Sequence, residues 1–306
     1  MSPVAFSRLH KILKYLPRCA SALAVLVLLP LINQMKHHTP RSLSTLKLIH
    51  AVSVLALMTI LAKANGQIPT PPSNATVFKD VQNSAGNPGH WVLTATKQEA
   101  GGLIDGSASQ DFNVPTPSLS DSAYSMDCRG AGANCLAYRH LGCTKFPDGV
   151  CSGVWNVKDD FYFLIPESSS TIQAWETDPD AYDGTHEEFP SHQLDSVTGH
   201  WRFWNMAARK WTETAKVYPS NLLKERGKYH HFQSLEVIDM NNHTYTYEDL
   251  SIDGVPVYSH LGLTYAGAPL EGNRDFNIEH QIDNSKKGES NTVFIDEQTV
   301  TVWPVK

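Results

Sequence analysis

From residue 77 onward the chain offers no convincing amphipathic helix of three turns, and that absence constrains its fold more than any motif does. Short stretches rich in β-branched and aromatic residues alternate instead with Gly, Pro, Asn and Asp. Such side chains fit a pleated, half-buried surface, and the small and polar residues between them supply turns. Strands are predicted at 160–165, 171–178, 200–204, 229–239, 243–252, 276–283 and 291–303. At 235–239 and 299–303 apolar and polar residues alternate, so successive side chains face opposite sides of a sheet. Asp253-Gly254 between two of these runs predicts a two-residue hairpin turn. One short helical piece is expected around 220–226. Many short strands, little helix and no internal repeat predict an all-β sandwich or barrel.

Charge is distributed unevenly. Residues 1–64 hold eight Lys/Arg and no Asp or Glu, which leaves 17 basic and 31 acidic side chains, a net of −14, for residues 65–306. A basic, apolar start ahead of an acidic body has the form of an export signal ahead of a folded domain. Two apolar runs lie in that start, 20–32 and 48–61, and neither reaches the ~18–20 apolar residues that span a bilayer. The second has signal-peptide grammar: Lys36, Arg41 and Lys47 precede it, and Ala62-Lys63-Ala64 follows with small residues two apart. The reading is a leader over 1–64, with Met35 as the true start and 1–34 as a start-site extension. A Pro-rich linker follows at 65–76, and the sandwich occupies 77–306. Such a product is secreted, periplasmic or held at the cell surface, with no stable membrane insertion after cleavage. Its acidity repels nucleic acid and anionic lipid.

Four of the five cysteines, Cys128, Cys135, Cys143 and Cys151, fall within 24 residues. In an exported chain they read as two disulfides, with three pairings open. Gaps of six, seven and seven residues do not suit a zinc knuckle, whose pairs lie two to four apart. Their expected role is to staple a Gly-rich loop.

Several stretches together resemble the concanavalin A-like lectin/glucanase superfamily. They are Tyr229-His230-His231-Phe232, the aromatic run from Tyr245 to Asp253-Gly254, and a final strand from Val293 through Asp296 to Val302. More closely, the chain resembles exported bacterial proteins of acidobacterial type with that fold. The shared features are Val77-Phe78-Lys79-Asp80-Val81-Gln82, Pro117-Ser118-Leu119-Ser120, Ala174-Trp175-Glu176-Thr177-Asp178, a strand bearing Trp201, Trp204 and Asn205, and Trp211. The resemblance spans most of 77–303 and implies a jelly-roll sandwich of two antiparallel sheets. It also implies a structural calcium on the convex side, with Asp296 at the matching place; hard oxygen ligands suit that ion.

On a strand, Glu176, Asp178 and Asp180 share one face. Retaining glycosidases need two carboxyl groups about 5–5.5 Å apart. Laminarinase-like members of the superfamily set nucleophile and acid/base on such an acidic strand, so the resemblance implies Glu176 as nucleophile. The chain departs from the pattern where Asp180 replaces a glutamate and Pro179 is expected to end the strand. Trp201 and Trp204 have odd spacing and should face opposite sides, with Trp175 in the core and Trp204 beside Arg202 on a binding face. Exposed Trp stacks on the apolar faces of sugar rings. Trp204, Arg202, Trp211, and His192 with Gln193 in a loop are therefore the candidate ligand contacts. His230 and His231 should point opposite ways, and no histidine has metal-ligand spacing with a carboxylate. The leading expectation is a secreted carbohydrate-binding sandwich, non-catalytic or weakly so, whose partner is a polysaccharide or glycan. The alternatives are a retaining glycoside hydrolase, more distantly a polysaccharide lyase, and a structural cell-surface module.

Overall fold

The alternation in the sequence becomes strand almost wherever it occurs. A computed structural model describes residues 68–83, 91–97, 106–144, 146, 151–169, 172–217, 222, 225–285 and 290–305. The expected leader and most of the short helical piece at 220–226 lie outside the described residues. In chain order the strands are β1 (Thr76–Phe78), β2 (Trp91–Lys97), β3 (Ser107–Val114), β4 (Ala123–Arg129), β5 (Ala133–His140), β6 (Val154–Leu164), β7 (Ile172–Tyr182), β8 (His186–Glu188) and β9 (His192–Asp195). They continue as β10 (His200–Asn205), β11 (Lys210–Val217), β12 (Tyr229–Asp239), β13 (Thr244–Ile252), β14 (Val255–Tyr258), β15 (Leu263–Ala266), β16 (Ala268–Pro269), β17 (Asp275–Asn284) and β18 (Ser290–Pro304).

Among the described residues these form two nine-stranded sheets. Sheet A runs β14-β13-β12-β6-β18-β4-β3, with β1 on β18 and β15 on β13. Sheet B runs β11-β10-β9-β7-β17-β5-β2, with β8 on β7 and β16 on β8. Neighbouring strands pair antiparallel, as in β12 on β6 and β17 on β7. The architecture is the expected all-β sandwich of two antiparallel sheets. Asp253 and Gly254 join β13 to β14 with φ of 51° and 73°, the left-handed pair that a type I′ turn requires.

The sheets meet through aromatic side chains. Trp175 on β7 stacks on Phe163 of β6 at 4.5 Å and meets Phe232 of β12 edge-on at 5.9 Å. Phe203 on β10 packs on Tyr247 of β13 at 4.7 Å. Because residues alternate, these contacts define the inner face of sheet B: Trp175, Leu194, Trp201, Phe203, Ile278 and Ile282 are all buried. Glu176, Gln193, Arg202, Trp204 and Glu279 then occupy the outer face. Each large aromatic buried in this way contributes roughly 1.5–3 kcal/mol.

Two histidines are built into the core as neutral rings. His280 lies 3.3 Å from Oε1 of Gln298, whose Nε2 donates to both oxygens of buried Asp159 at 3.1 Å. His192 sits 2.6 Å from the Tyr258 hydroxyl and 3.4 Å from buried Glu236. Burial holds both imidazoles well below their ordinary range, His192 at about 3 and, despite its contact with Gln298, His280 at about 4.

Pro179 does not end β7. It pairs opposite Ile278 inside a strand that continues to Tyr182. The reason is local: β9 pairs with 174–177 and β8 with 181–182, so the proline falls in the gap between them. There a residue without an N–H is tolerated as at a sheet edge.

The cysteines pair as Cys128–Cys135 and Cys143–Cys151. The first is more than a loop staple, because Cys128 lies on β4 of sheet A and Cys135 on β5 of sheet B. It clamps the two sheets beside the Gly130-Ala131-Gly132 turn. In the chain-entropy account a loop of this size is worth about 2–3 kcal/mol. Urea unfolding of Cys128→Ala/Cys135→Ala is expected to show a loss of that order with an unchanged fold; unaltered stability would mean the clamp does not hold the sheets.

Candidate functional site

A cleft of about 470 Å³ opens on the outer face of sheet B. Its floor is the polar side of four adjacent strands: Asn134 and Leu136 of β5, Glu279, Gln281 and Asp283 of β17, Glu176 of β7 and Gln193 of β9. Its wall at one end is Arg202 and Trp204 of β10 with Trp211 of β11. Strand register explains the grouping. Glu176 pairs between Gln281 and Gln193, Gln193 pairs with Arg202, and Trp204 pairs with Trp211.

A chain of contacts holds these groups still. The Arg202 guanidinium lies 5.7 Å from the centre of the Trp211 ring and donates to Oε1 of Gln193. Gln193 Nε2 donates to Glu176 at 2.8 Å and to Asp283 at 3.2 Å. Gln281 Nε2 closes on the other Asp283 oxygen at 2.9 Å. Asp195 braces Arg202 from below at 3.5 Å. Trp204 and Trp211 are half-buried, with ring centres 5.2 Å apart and planes tilted by 57°. The carbonyl of Trp204 accepts from the Tyr245 and Tyr247 hydroxyls of sheet A at 2.9 and 3.1 Å, which ties this wall to the opposite sheet.

The electrostatics are set by burial. Glu176 is pushed well above the usual carboxylate range by desolvation, reinforced by the charges of Asp283 and Glu279. Asp178 and Asp180 are displaced the same way, again by burial first. Burial also raises Glu279 to about 8, with Glu187 adding to it. Burial thus favours the neutral acid along this row, a form that can donate hydrogen bonds as well as accept them.

The expected site residues divide. Glu176, Gln193, Arg202, Trp204 and Trp211 come together as one cleft. Asp178 and Asp180 share the outer face with Glu176 but are fully buried and do not line the cleft. The expected catalytic spacing of Glu176 and Asp180 across an open site is thus not formed. His192 is on strand β9 and not in a loop, and its ring faces the core, one residue out of phase with Gln193. It cannot touch a ligand in this cleft. His230 and His231 do point apart: His230 is buried against Asp253 at 2.9 Å, and His231 meets Asp160 at 2.6 Å.

Asp296 does not fit a calcium site. One oxygen accepts from Ser118 Oγ and the amides of Leu119 and Ser120, and the other from Ser120 Oγ and the Glu297 amide. These groups aim protons at the carboxylate, whereas calcium needs lone pairs from six to eight oxygens. Asp296 is a clamp on the 118–120 turn, and those donors hold it below its ordinary range despite burial.

Sequence reasoning missed Asn134, Leu136, Gln173, Phe189, Glu279, Gln281 and Asp283, all in the lining. The signal was present in part. Asn277, Glu279, Gln281 and Asp283 are polar at every second position of a predicted strand, which marks one wet face.

No protein-family model and no curated protein matches the chain. Solved structures do match it. One, described by the promiscuous specificity of carbohydrate-binding modules of the β-sandwich superfamily, aligns with 72% of this chain at 10% identity and a TM-score of 0.34. The chain spans 60% of that protein's length. The carbohydrate recognition domain of Emp47p aligns over 78% of this chain and 100% of its own, at 7% identity and a TM-score of 0.41. Arcelin-5, a lectin-like defense protein from Phaseolus vulgaris, aligns over 70% of this chain and 99% of its own, at 8% identity and a TM-score of 0.35.

Buried acids give stability a definite pH dependence. Glu279 and Glu188 are raised to about 8 and Asp159 to about 7. Raised acids bind protons more tightly folded than unfolded, so their contribution is complete below about pH 4 and is lost as pH climbs through 7–8. The depressed His192 and His280 act oppositely, contributing above about pH 6.5 and losing that as pH falls toward 3–4. The urea midpoint is expected to drop between about pH 6 and pH 9; a midpoint that holds or rises over that interval would show that the acids are not buried as described.

Proposed function

We propose that the outer face of sheet B binds a polysaccharide or glycan, and that the protein is a non-catalytic or weakly catalytic carbohydrate-binding sandwich. The observation that carries this reading is the pairing of a half-buried Trp204/Trp211 wall with a floor of amides and neutral acids. A sugar ring has an apolar face and a rim of hydroxyls. Tryptophan supplies area for the first, and groups that both donate and accept serve the second. Arg202, locked by Gln193 and Asp195, sets the boundary between the two. A floor of this polarity does not suit a purely structural module, whose outer face has no need of buried acids. Secretion, and kinship with the exported acidobacterial-type proteins, belong to the same reading; the basic leader and the two disulfides support export.

Hydrolysis of the bound glycan is a second reading, favoured by one observation. Glu176 and Asp283 accept from the same nitrogen of Gln193, so two carboxyl groups stand side by side in the cleft. A retaining glycosidase uses such a pair. Glu176, shifted toward the neutral acid by burial, suits the acid and not the nucleophile expected for it, which leaves Asp283 to attack.

The test is a glycan array followed by calorimetry on the protein, with a parallel assay for released reducing sugar. Trp204→Ala and Trp211→Ala are each expected to weaken glycan binding by roughly tenfold or more, about 1.4 kcal/mol. Glu176→Gln is expected to retain binding, and no sugar is released. Release that Glu176→Gln abolishes would establish the second reading instead. A protein that binds no glycan at all would contradict both.

A further inference from the structure

A second cluster lies away from the cleft, where the β7–β8 turn of sheet B meets the β12–β13 turn of sheet A. Asp183, His186 and His243 each bring one ligand atom to within 4.8 Å of the others. The two imidazoles are stacked with centres 3.7 Å apart. Nδ1 of His243 faces Oδ2 of Asp183 at 3.2 Å and Oε1 of Glu188 at 3.4 Å.

Glu188 is the independent sign of a missing ligand. Its side chain is 0% exposed, and its oxygens take no hydrogen bond from another side chain, Nδ1 of His243 standing at 3.4 Å outside hydrogen-bond geometry. A buried acid held by nothing stronger than such a long contact is costly, and metal coordination is one of the ways it is satisfied. The neighbouring bonds then leave the right atoms open. Asp183 Oδ1 is engaged by the amides of Thr185 and His186 and by the Thr185 hydroxyl, which leaves Oδ2 facing Nδ1 of His243. Thr185 gives its only hydroxyl proton to Asp183, so its oxygen accepts from Nδ1–H of His186 at 3.0 Å. That fixes the tautomer with a lone pair on Nε2, the arrangement by which neighbouring groups orient ligating histidines. Gly267 makes the approach of the two turns feasible: its amide donates to the His243 carbonyl, and a Cβ there would lie 2.5 Å from the Glu187 carbonyl oxygen.

We propose that Asp183, His186, Glu188 and His243 form a binding site for a divalent first-row metal ion of the zinc type. Two imidazole nitrogens with two carboxylate oxygens make a four-ligand set that suits zinc, whereas calcium and magnesium prefer all-oxygen shells. With metal–ligand bonds of about 2.0–2.2 Å, the half-buried side chains of Asp183, His186 and His243 draw in around the ion toward Glu188. The ion would clip a turn of one sheet to a turn of the other, so its binding adds to stability by mass action.

Calorimetry of EDTA-treated protein with ZnCl2 tests this directly. One zinc ion is expected per chain, with a rise in the melting temperature, and CaCl2 is expected not to substitute. His243→Ala and Glu188→Gln should each weaken zinc binding by roughly tenfold or more. Trp204→Ala should leave it unchanged, separating this site from the cleft. Glu188→Gln preserves size and neutrality at a buried position, so it decides the matter even where His243→Ala does not fold. No zinc binding, or equal binding by wild type and Glu188→Gln, overturns the proposal.

Discussion

A carboxyl group that leaves water without a cation or several hydrogen-bond donors beside it does so as the neutral acid, and the outer face of sheet B takes Glu176, Asp178, Asp180 and Glu279 out of water together. Side-by-side strands put them at neighbouring register positions, so ionising any one raises the cost of ionising the next. The inner face of the same strands must supply the stability that such a row cannot. Trp175 and Trp201 of sheet B do so by filling the interface against Phe161, Phe163 and Phe232 of sheet A. One strand, β7, thus carries a fully buried tryptophan, Trp175, and on alternate residues the acids Glu176, Asp178 and Asp180.

The cleft inherits its rigidity from this arrangement. Its polar side chains stand on strands and not on loops, and each is held by the next through Arg202, Gln193 and Gln281. Tyrosine hydroxyls from sheet A reach across the sandwich edge to the backbone beside Trp204. A site braced in this way needs little ordering when a ligand arrives, which is how modest contact areas yield useful affinity.

How much of this was legible depends on whether the determining contact is local. Alternation is local, so the strands around 235–239 and 299–303, the opposed Trp201 and Trp204, and the Asp253-Gly254 turn could all be read from the chain. Pairing is not local. Nothing near Pro179 says that its missing N–H falls in a gap between β8 and β9, so the strand was expected to stop there. His192 looked like a loop residue because its polar neighbours hide a four-residue strand, and only the sheet-A partners Tyr258 and Glu236 explain a histidine in the core. Likewise Asp296 resembles a cation ligand until the Ser118–Ser120 turn, far away in sequence, closes on it with amides and hydroxyls. The polar side of β17 was readable but went unread, because strand prediction looks for the apolar face.

The central claim is that the acids under the cleft are neutral at physiological pH and therefore offer protons to a ligand. Carbon-13 NMR of the Glu and Asp side-chain carboxyls, titrated through neutrality and assigned with Glu176→Gln and Asp178→Asn, measures this directly. The account predicts that both resonances keep the chemical shift of the protonated acid where exposed carboxyls have long since ionised. Shifts showing Glu176 and Asp178 ionised at about pH 5, alongside the surface groups, would contradict it.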